Sequence, residues 1–434
     1  RNCGSAQHRR NGPIMASPSS PVRLLIVGAG NRGAQYARYA QHYPGAAQIV
    51  AVAEPRDFQR EQLAALHNIP AANVVRDWRA LAERPRFADG VIIATQDAMH
   101  AEPAIAFAER GYHLLLEKPM APTADDCRQI VAAVQRNGVM LAVCHVMRYT
   151  RYTQALKRLV EAGRIGTVVS MQHLEPVGFW HQAHSFVRGN WRNEAQSSPM
   201  LLAKSCHDLD WIRYVIGRRC TQVSSFGSLR HFRADQRPPG AADRCLDCAI
   251  AEECPYAAPR FYLNRVRAGN TGWPVDVITN DRTEAGVLEA MRTGPYGRCV
   301  YACDNDVVDH QVVNLQFEDG ATAAFTMTAF TRQRDRETHL FGTHGEIYGD
   351  GAHIRIDDFR TNTSETLDIN LSADGSILSG HGGGDEGVMR SFVAALAQND
   401  PRQILSGPEE TLESHLMVFA AEQARNEGRV VLVE

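Results

Sequence analysis

Residues 22–33 read VRLLIVGAGNRG, an apolar run that breaks directly into G-x-G-x-x-G. Val22 to Val27 predict a buried parallel strand and Gly28 the tight turn after it. Gly30 marks a point where backbone approaches a pyrophosphate, and Gly33 lets the next helix pack closely. The first turn of that helix, beginning at Asn31 and Arg32, offers free N–H groups to phosphate. A second apolar run, Gln48 to Ala53, ends in Glu54, at the spacing where an acid takes the hydroxyls of an adenosine ribose. Strand, glycines and acid together point to a bound dinucleotide. The acid favours NAD, whereas Arg56 just beyond it is placed for a 2′-phosphate, so NADP stays open.

A chain of 434 residues exceeds what one core usually serves, so two domains are expected. With 46 Lys and Arg against 49 Asp and Glu, the net charge of −3 gives no basic field for nucleic acid. No apolar run has the length of a membrane span. Residues 1–20 are polar and are expected to form a disordered leader, with Met15 a candidate start. A cytoplasmic protein is the expectation. Ten cysteines are too sparse for a disulfide scaffold in a chain this long, and reduced thiols or metal ligands are expected instead.

From Val22 to about Val146 short apolar runs alternate with helical stretches, as a doubly wound parallel sheet requires. Strands are predicted at 90–95, 112–116 and 140–144, with helices near 59–67, 101–110 and 123–137. Past Arg148 the pattern changes. Stretches 168–174, 222–229, 307–317, 321–328 and 338–342 read as strands of a mainly antiparallel sheet with few helices between, which defines a second, α+β domain over 147–434. Helices at 385–398 and 409–426 lead to a short end strand at 429–433.

Leu114 to Pro119 read LLLEKP, which sets a Glu-Lys-Pro triplet at the carboxyl end of a strand, where open parallel sheets bind ligands. With the glycine loop, ATQDAMH ending at His100 and SPMLLAKSCHDLDW at 198–211, the chain resembles the Gfo/Idh/MocA family of NAD(P)-dependent sugar oxidoreductases over about residues 21–434. The resemblance implies a Rossmann domain over 21–146, Lys118 beside the nicotinamide and the substrate hydroxyl, an often-cis bond to Pro119, and His207 as acid/base. It also implies cofactor contacts from Asn31, Arg32, Thr95, Gln96, His100 and Glu117, and a homo-oligomer, dimer or tetramer. The chemistry alone asks for such groups, since taking hydride from a secondary alcohol needs a base for the hydroxyl proton and a charge to hold the developing oxyanion. Lys118 can supply the cation and His207 the base.

The chain departs from the family pattern where the usual Asp four residues before the histidine is Ala203. Lys204, three residues before His207, is expected on the same helix face, where it would lower the histidine's proton affinity or partly replace it; Asp208 and Asp210 follow. Stretch 178–193, GFWHQAHSFVRGNWRN, resembles a sugar-binding loop. In it Trp180 and Trp191 are candidates to stack on a pyranose, and His181, His184, Arg188, Arg192 and Asn193 to bind hydroxyls or an anionic group. Tyr149 and the HGGGD segment, His381 to Asp385, are further candidates, with Asp385 read as a helix N-cap.

Residues 245–256 read CLDCAIAEECPY, placing Cys245, Cys248 and Cys254 in a loop-like insertion at about 232–304. Structural zinc is the expectation, with Cys303 or Cys299 from YGRCVYACD completing the shell. An iron–sulfur cluster and free or disulfide thiols stay open. A branch of the same family resembles this chain in both cysteine segments.

These readings predict an enzyme that oxidises a sugar, glycoside or cyclitol, or reduces the ketone, with NAD(H). A second reading is a redox-neutral NAD-dependent glycosidase, in which transient oxidation permits elimination of the aglycone, water adds, and hydride returns; the arginines of 178–193 would suit an acidic or sulfonated sugar. A third is a non-catalytic sensor of NAD or sugar. Residue types leave the choice of sugar open.

Overall fold

The computed structural model describes residues 20–369 and 380–434, with the side chains of 380 and 381 outside the description. The predicted leader, apart from Ser20, therefore lies outside the described residues. The first half alternates strand and helix: β1 (Val22–Val27), α1 (Asn31–His42), β2 (Ala47–Ala53), α2 (Asp57–Leu66), β3 (Val74–Val75), α3 (Arg79–Ala82), β4 (Gly90–Ile93), α4 (Ala101–Glu109), β5 (His113–Leu116), α5 (Ala124–Arg136) and β6 (Leu141–Val143). The strands pair in parallel in the order β3-β2-β1-β4-β5-β6, the arrangement of a dinucleotide-binding sheet. Helices on both faces explain the unbroken apolar runs, since every residue of β4 and all but one of β1 are buried. The two-residue β3 carries too little pattern to be seen in the sequence.

The second half forms one nine-stranded sheet, ordered β14-β13-β12-β11-β7-β10-β9-β8-β15. Its members are β7 (Val168–Pro176), β8 (Cys220–Ser228), β9 (His310–Phe317), β10 (Thr322–Thr328), β11 (Glu337–Gly342), β12 (Gly345–Gly349), β13 (His353–Asp358), β14 (Thr363–Asp368) and β15 (Val431–Leu432). Only β7 and β10 pair in parallel, Phe325 opposite His173; the remaining described pairs are antiparallel. Strands β12 to β14 extend the sheet beyond the sequence prediction. Their apolar content is thin, with Ile354 and Ile356 facing the core and polar residues between them.

Between these strands lie α6 (Arg151–Glu161), the short α7 (Phe179–His181) running into a wide π-type turn at Gln182–Arg188, α8 (Met200–Ala203) and α9 (Cys206–Ile216). The insertion is more helical than predicted. It carries α10 (Ala258–Arg267), α11 (Val275–Ile278) and α12 (Glu284–Thr293) around a small core of its own built on Tyr262, Leu263, Val287 and Met291.

A single cut near residue 147 does not describe core membership. Helix α13 (Gly384–Gln398) returns to the parallel sheet, packing Val388, Met389, Phe392 and Val393 on Leu24, Ile26 and Ile92. Gly90 makes room for it, since a Cβ there would stand 3.2 Å from the Phe392 ring. Helix α14 (Pro408–Glu427) then lies between α5 on one side and β8 and α9 on the other, joining the two sheets. No helix among the described residues is long and apolar enough to cross a membrane.

The seat of α1 is a tight point of this framework, because a Cβ on Gly33 would lie 1.9 Å from the Gly28 carbonyl oxygen. Gly33→Ala is expected to lift α1 off the loop at a cost of roughly 1–3 kcal/mol. Urea unfolding of the variant checks this, and a midpoint equal to the parent's would show that the helix is not seated there.

Candidate active site

Gly28 turns the chain with φ +92°, and a Cβ there would stand 2.6 Å from the Ala94 carbonyl. This left-handed turn drops the loop onto the carboxyl ends of β1 and β4, with Ala29 N–H donating to Glu54 Oε2 at 2.9 Å. Burial would push the Glu54 carboxyl up, but hydrogen bonds from Arg56 and Ala29 outweigh it and hold it below its ordinary value. Arg56 donates through Nε (2.7 Å) and Nη2 (2.9 Å), so the two residues expected to divide the choice between NAD and NADP hold each other. The Arg56 side chain is 57% exposed. Outside the loop a Cβ on Gly30 would meet only Arg56 Nη2, at 3.3 Å, and the first turn of α1 carries no acidic residue. The cradle therefore fits a dinucleotide phosphate. Asn31 and Gln96 are exposed at its rim, and Thr95 Oγ donates to the Met99 carbonyl.

Arg32 and Glu117 are used differently from the prediction. Arg32 donates through Nε to Glu117 Oε1 (2.6 Å) and through its Nη atoms to both oxygens of Asp385 (2.6 and 3.2 Å), while Tyr36 donates to Glu117 at 2.7 Å and also receives Arg32. Both charges are engaged inside the fold; together they lock the first turn of α1 to the end of β5 and the start of α13. Asp385 is accordingly not the N-cap of α13, a position held by Gly383. Glu117 completes the knot by accepting the Lys118 N–H at 2.7 Å.

That bond sets the next turn, where Lys118–Pro119 is cis. Lys118 Nζ donates to the Ala203 carbonyl at 2.6 Å, at the end of α8. His100, also expected at the cofactor, instead bridges two carbonyls, Pro119 O at 2.7 Å through Nδ1 and Thr95 O at 3.2 Å through Nε2, tying β4 to the Lys118 turn. His415 reaches the same turn from α14. Its Nε2 accepts the Met120 N–H at 2.9 Å and its Nδ1 faces the Thr411 carbonyl, which fixes a neutral ring with the proton on Nδ1.

His207 opens α9 almost fully buried, its ring edge-on to His145 with centroids 5.7 Å apart. His145, unremarked in the sequence, follows β6 and lies wholly inside, with Nε2 3.7 Å from Asp210 and its centroid 5.4 Å from that of His415. Burial pulls the His145 imidazole down to about 3 and that of His415 to about 4, in each case against the pull of Asp210. Asp210 is gripped at both oxygens by Arg148 (2.7 and 2.8 Å); burial alone would raise its carboxyl, and Arg148 holds it low. Position alone marked these residues: HVMRY follows a strand whose end borders the triplet.

Lys204 does not share a helix face with His207, because the helix breaks at Lys204 and Ser205 between α8 and α9. Its ammonium pairs with Glu175 of β7 at 3.0 Å, and Arg336 bridges Glu175 (2.8 Å) to Asp208 (2.7 Å), which also meets His173. Burial lowers the Lys204 pKa despite Glu175.

The stretch 178–193 divides. At His181 burial, then Lys204, His184, Arg336 and Lys118 push the imidazole well below the usual value, and among the described residues its Nδ1 has no hydrogen-bond partner. Trp180 stacks on Phe261 (4.7 Å) under Arg265 and beside Trp273, so the insertion covers it. His184 is buried against Tyr262 and Tyr296, its Nδ1 2.6 Å from the Tyr262 hydroxyl. Arg188 donates to the carbonyls of Arg298 (2.7 Å) and Tyr256 (2.8 Å), and Arg192 pairs with Asp304. His184, Arg188 and Arg192 thus anchor the insertion. Trp191 is exposed against Phe186, and Asn193 donates to Asp306. Tyr149 is likewise engaged within the fold, its hydroxyl accepting the N–H groups of Leu405 and Ser406. The His381 side chain lies outside the described residues.

The expected zinc shell is not formed. Cys303 donates to the Cys299 carbonyl at 3.2 Å, and among the described residues no group of three or more His, Cys, Asp or Glu is gathered about a single ion.

Two family descriptions match the chain: an oxidoreductase family with an NAD-binding Rossmann fold over residues 22–145, and the C-terminal alpha/beta domain of that oxidoreductase family over 157–433. Among relatives, scyllo-inositol 2-dehydrogenase (NAD(+)) of Bacillus subtilis is 26% identical over 65% of this chain and 70% of its own. The 2,7-anhydro-N-acetylneuraminate hydratase of Mediterraneibacter gnavus is 31% identical over 48% of this chain and 52% of its own. The alignments with the first relatives span only about half to three fifths of those proteins, 61, 52 and 53%. A solved levoglucosan dehydrogenase in complex with NADH and levoglucosan shares the fold at a TM-score of 0.69, 19% identical, over 95% of this chain and all of that one.

The buried imidazoles make stability fall with acid. His145 and His184 are lowered to about 3 and His415 to about 4 from 6.5, so below about 6.5 the unfolded chain takes up protons that the folded chain refuses. Stability should be complete above pH 7 and drop by about 1 kcal/mol per pH unit for each imidazole as pH falls below 6. Urea midpoints at pH 7, 6 and 5 test it; equal midpoints would mean that these rings are charged in the fold.

Proposed function

Because the chain belongs to the Gfo/Idh/MocA oxidoreductase family, we propose that it is an NAD(H)-dependent enzyme acting at a secondary hydroxyl of a sugar, glycoside or cyclitol. The observation that carries this reading is Lys118, set by the Glu117 knot and aimed at the Ala203 carbonyl, with His207 four residues farther along the chain. The nicotinamide, when bound, supplies the hydride acceptor. Lys118 holds the substrate oxygen and stabilises its negative charge as the hydroxyl proton leaves, and His207 accepts that proton. His145 backs His207 from the core with a neutral ring, and Asp210, held by Arg148, fixes the cluster's charge. Glu54 favours NAD; rotation of Arg56 leaves room for NADP.

A second reading, redox-neutral cleavage or hydration of a glycoside-like substrate, is favoured by His181, Lys204 and Glu175, which add acid/base groups that a plain dehydrogenase does not need. The relative named 2,7-anhydro-N-acetylneuraminate hydratase supports it. An acidic or sulfonated sugar loses its original support, because Arg188 and Arg192 are committed to the insertion.

The test is purified protein with NAD and a panel of free sugars, cyclitols and aryl glycosides, acidic ones included, with NADH and released aglycone followed in the same wells. NADH growth without aglycone is expected, and Lys118→Ala and His207→Ala should each lower kcat by about 10²–10⁴-fold. Aglycone release that requires NAD yet leaves it unreduced would transfer the assignment to the second reading. A fully active His207→Ala would remove that histidine from the mechanism.

A further inference from the structure

We propose that Trp273, delivered by the insertion, is the stacking platform of a second-ring subsite beside the reacting centre, so that the substrate is a glycoside whose anomeric oxygen carries a further sugar or aryl ring. This rests on the reading of Lys118 and His207 as the place where the hydroxyl reacts, and it narrows the substrate from any sugar or cyclitol to one of two rings. The Trp273 indole is 41% exposed although three rings already crowd it. Trp180 stands at a centroid distance of 5.4 Å, His181 at 5.1 Å and His184 at 5.7 Å, both imidazoles steeply inclined to the indole.

An indole held firmly at the surface, with part of its apolar area still wet, is built to be covered by a ligand ring. Trp273 is held in this way. Two residues farther on, Val275 is fully buried in the insertion's own core with Tyr262, Leu263, Val287 and Met291, and the Tyr262 hydroxyl meets His184 of the π-type turn. Trp180 cannot serve in its place, because Phe261 stacks on its ring at 4.7 Å and the Arg265 guanidinium lies over it at 4.8 Å.

His181 links this platform to the reacting centre. Its ring touches both Trp273 and Trp180, and its imidazole feels the charges of Lys204 and of Lys118, the cation assigned to the substrate oxygen. The His181 Nδ1 is buried and has no hydrogen-bond partner among the described residues, so it is available to the oxygen that joins two rings. The reacting sugar at Lys118 and His207, the linking oxygen at His181 and the second ring on Trp273 then follow in order. The same segment runs on to Asn280, which accepts from Gln59 of α2 at 3.5 Å, so the loop that presents Trp273 also touches the dinucleotide half. A pyranose turns a face of C–H groups to the indole, and an aryl ring its π face; either contact removes apolar surface from water on both sides. A free monosaccharide or cyclitol fills the first position and leaves Trp273 wet.

The measurement is calorimetric titration of the full chain, with NADH bound, by both anomers of the para-nitrophenyl glycosides of glucose, galactose, mannose and glucuronic acid and by the same free sugars. At least one glycoside is expected to bind about tenfold more tightly than its free sugar. Trp273→Ala should cut that preference to about twofold or less, and Trp273→Phe should keep most of it. A parent protein that binds every free sugar as tightly as its glycoside, or that binds neither, would overturn the subsite, and so would a preference that survives Trp273→Ala intact. Binding reads the subsite separately from turnover. A glycoside preference lost in Trp273→Ala, with no NADH and no aglycone formed by the parent, keeps the subsite and removes the oxidoreductase reading; NADH formation without any such preference does the reverse. The parent's preference is measured on the unsubstituted protein and decides even if Trp273→Ala fails to fold.

Discussion

One guanidinium organises the catalytic half of this protein. Arg32 joins the first turn of α1, the end of β5 and the start of α13 by holding Glu117 and Asp385 together. Removing a single partner from a buried pair of this kind leaves a charge without compensation, which is far more damaging than the pair is stabilising. The geometry downstream follows from it: Glu117 takes the Lys118 N–H, the chain turns at Pro119, and the Lys118 ammonium arrives beneath α8. His100 and His415 brace the same turn from two further elements. A triplet readable as a cofactor motif is thus, in its first member, a device for aiming its second.

Around that turn burial lowers the imidazoles of His145 and His415, while Asp210 and Asp208 are held below their ordinary carboxylate range. Both are buried, so the difference lies in partners. Asp210 and Asp208 each face a guanidinium, whereas His145 faces two other imidazoles and a carboxylate 3.7 Å away. A neutral base beside fixed cations is suited to taking a proton from a hydroxyl, because the cations lower the cost of the alkoxide more than they hinder the base.

The parallel sheet, the glycine turn and the Glu-Lys-Pro turn were legible in the sequence because each depends on contacts within one strand-turn-helix unit. Strands β12 to β14 were not, since half their residues face away from the core and little apolar rhythm remains. Site residues failed in a more instructive way. His184 and Arg188 have the composition of sugar ligands, but their partners, Tyr262, Tyr256 and Arg298, lie some 70 to 110 positions away, where no local pattern reveals them. Lys204 and His207 were paired by helical spacing, and the break after Ala203 undoes that spacing. Arg336, which joins Glu175 to Asp208, lies near no motif.

The return of α13 to the parallel sheet has a consequence for synthesis. Leu24, Ile26, Ile92 and Leu115 share a core with Val388, Met389, Phe392 and Val393, so the face of the first sheet to be made is closed by nearly the last helix. Emerging from the ribosome, the amino-terminal third carries an uncovered apolar face until almost the entire second domain has been translated. The parallel sheet thus completes this part of its core only with side chains that follow the second sheet's central strands in the chain.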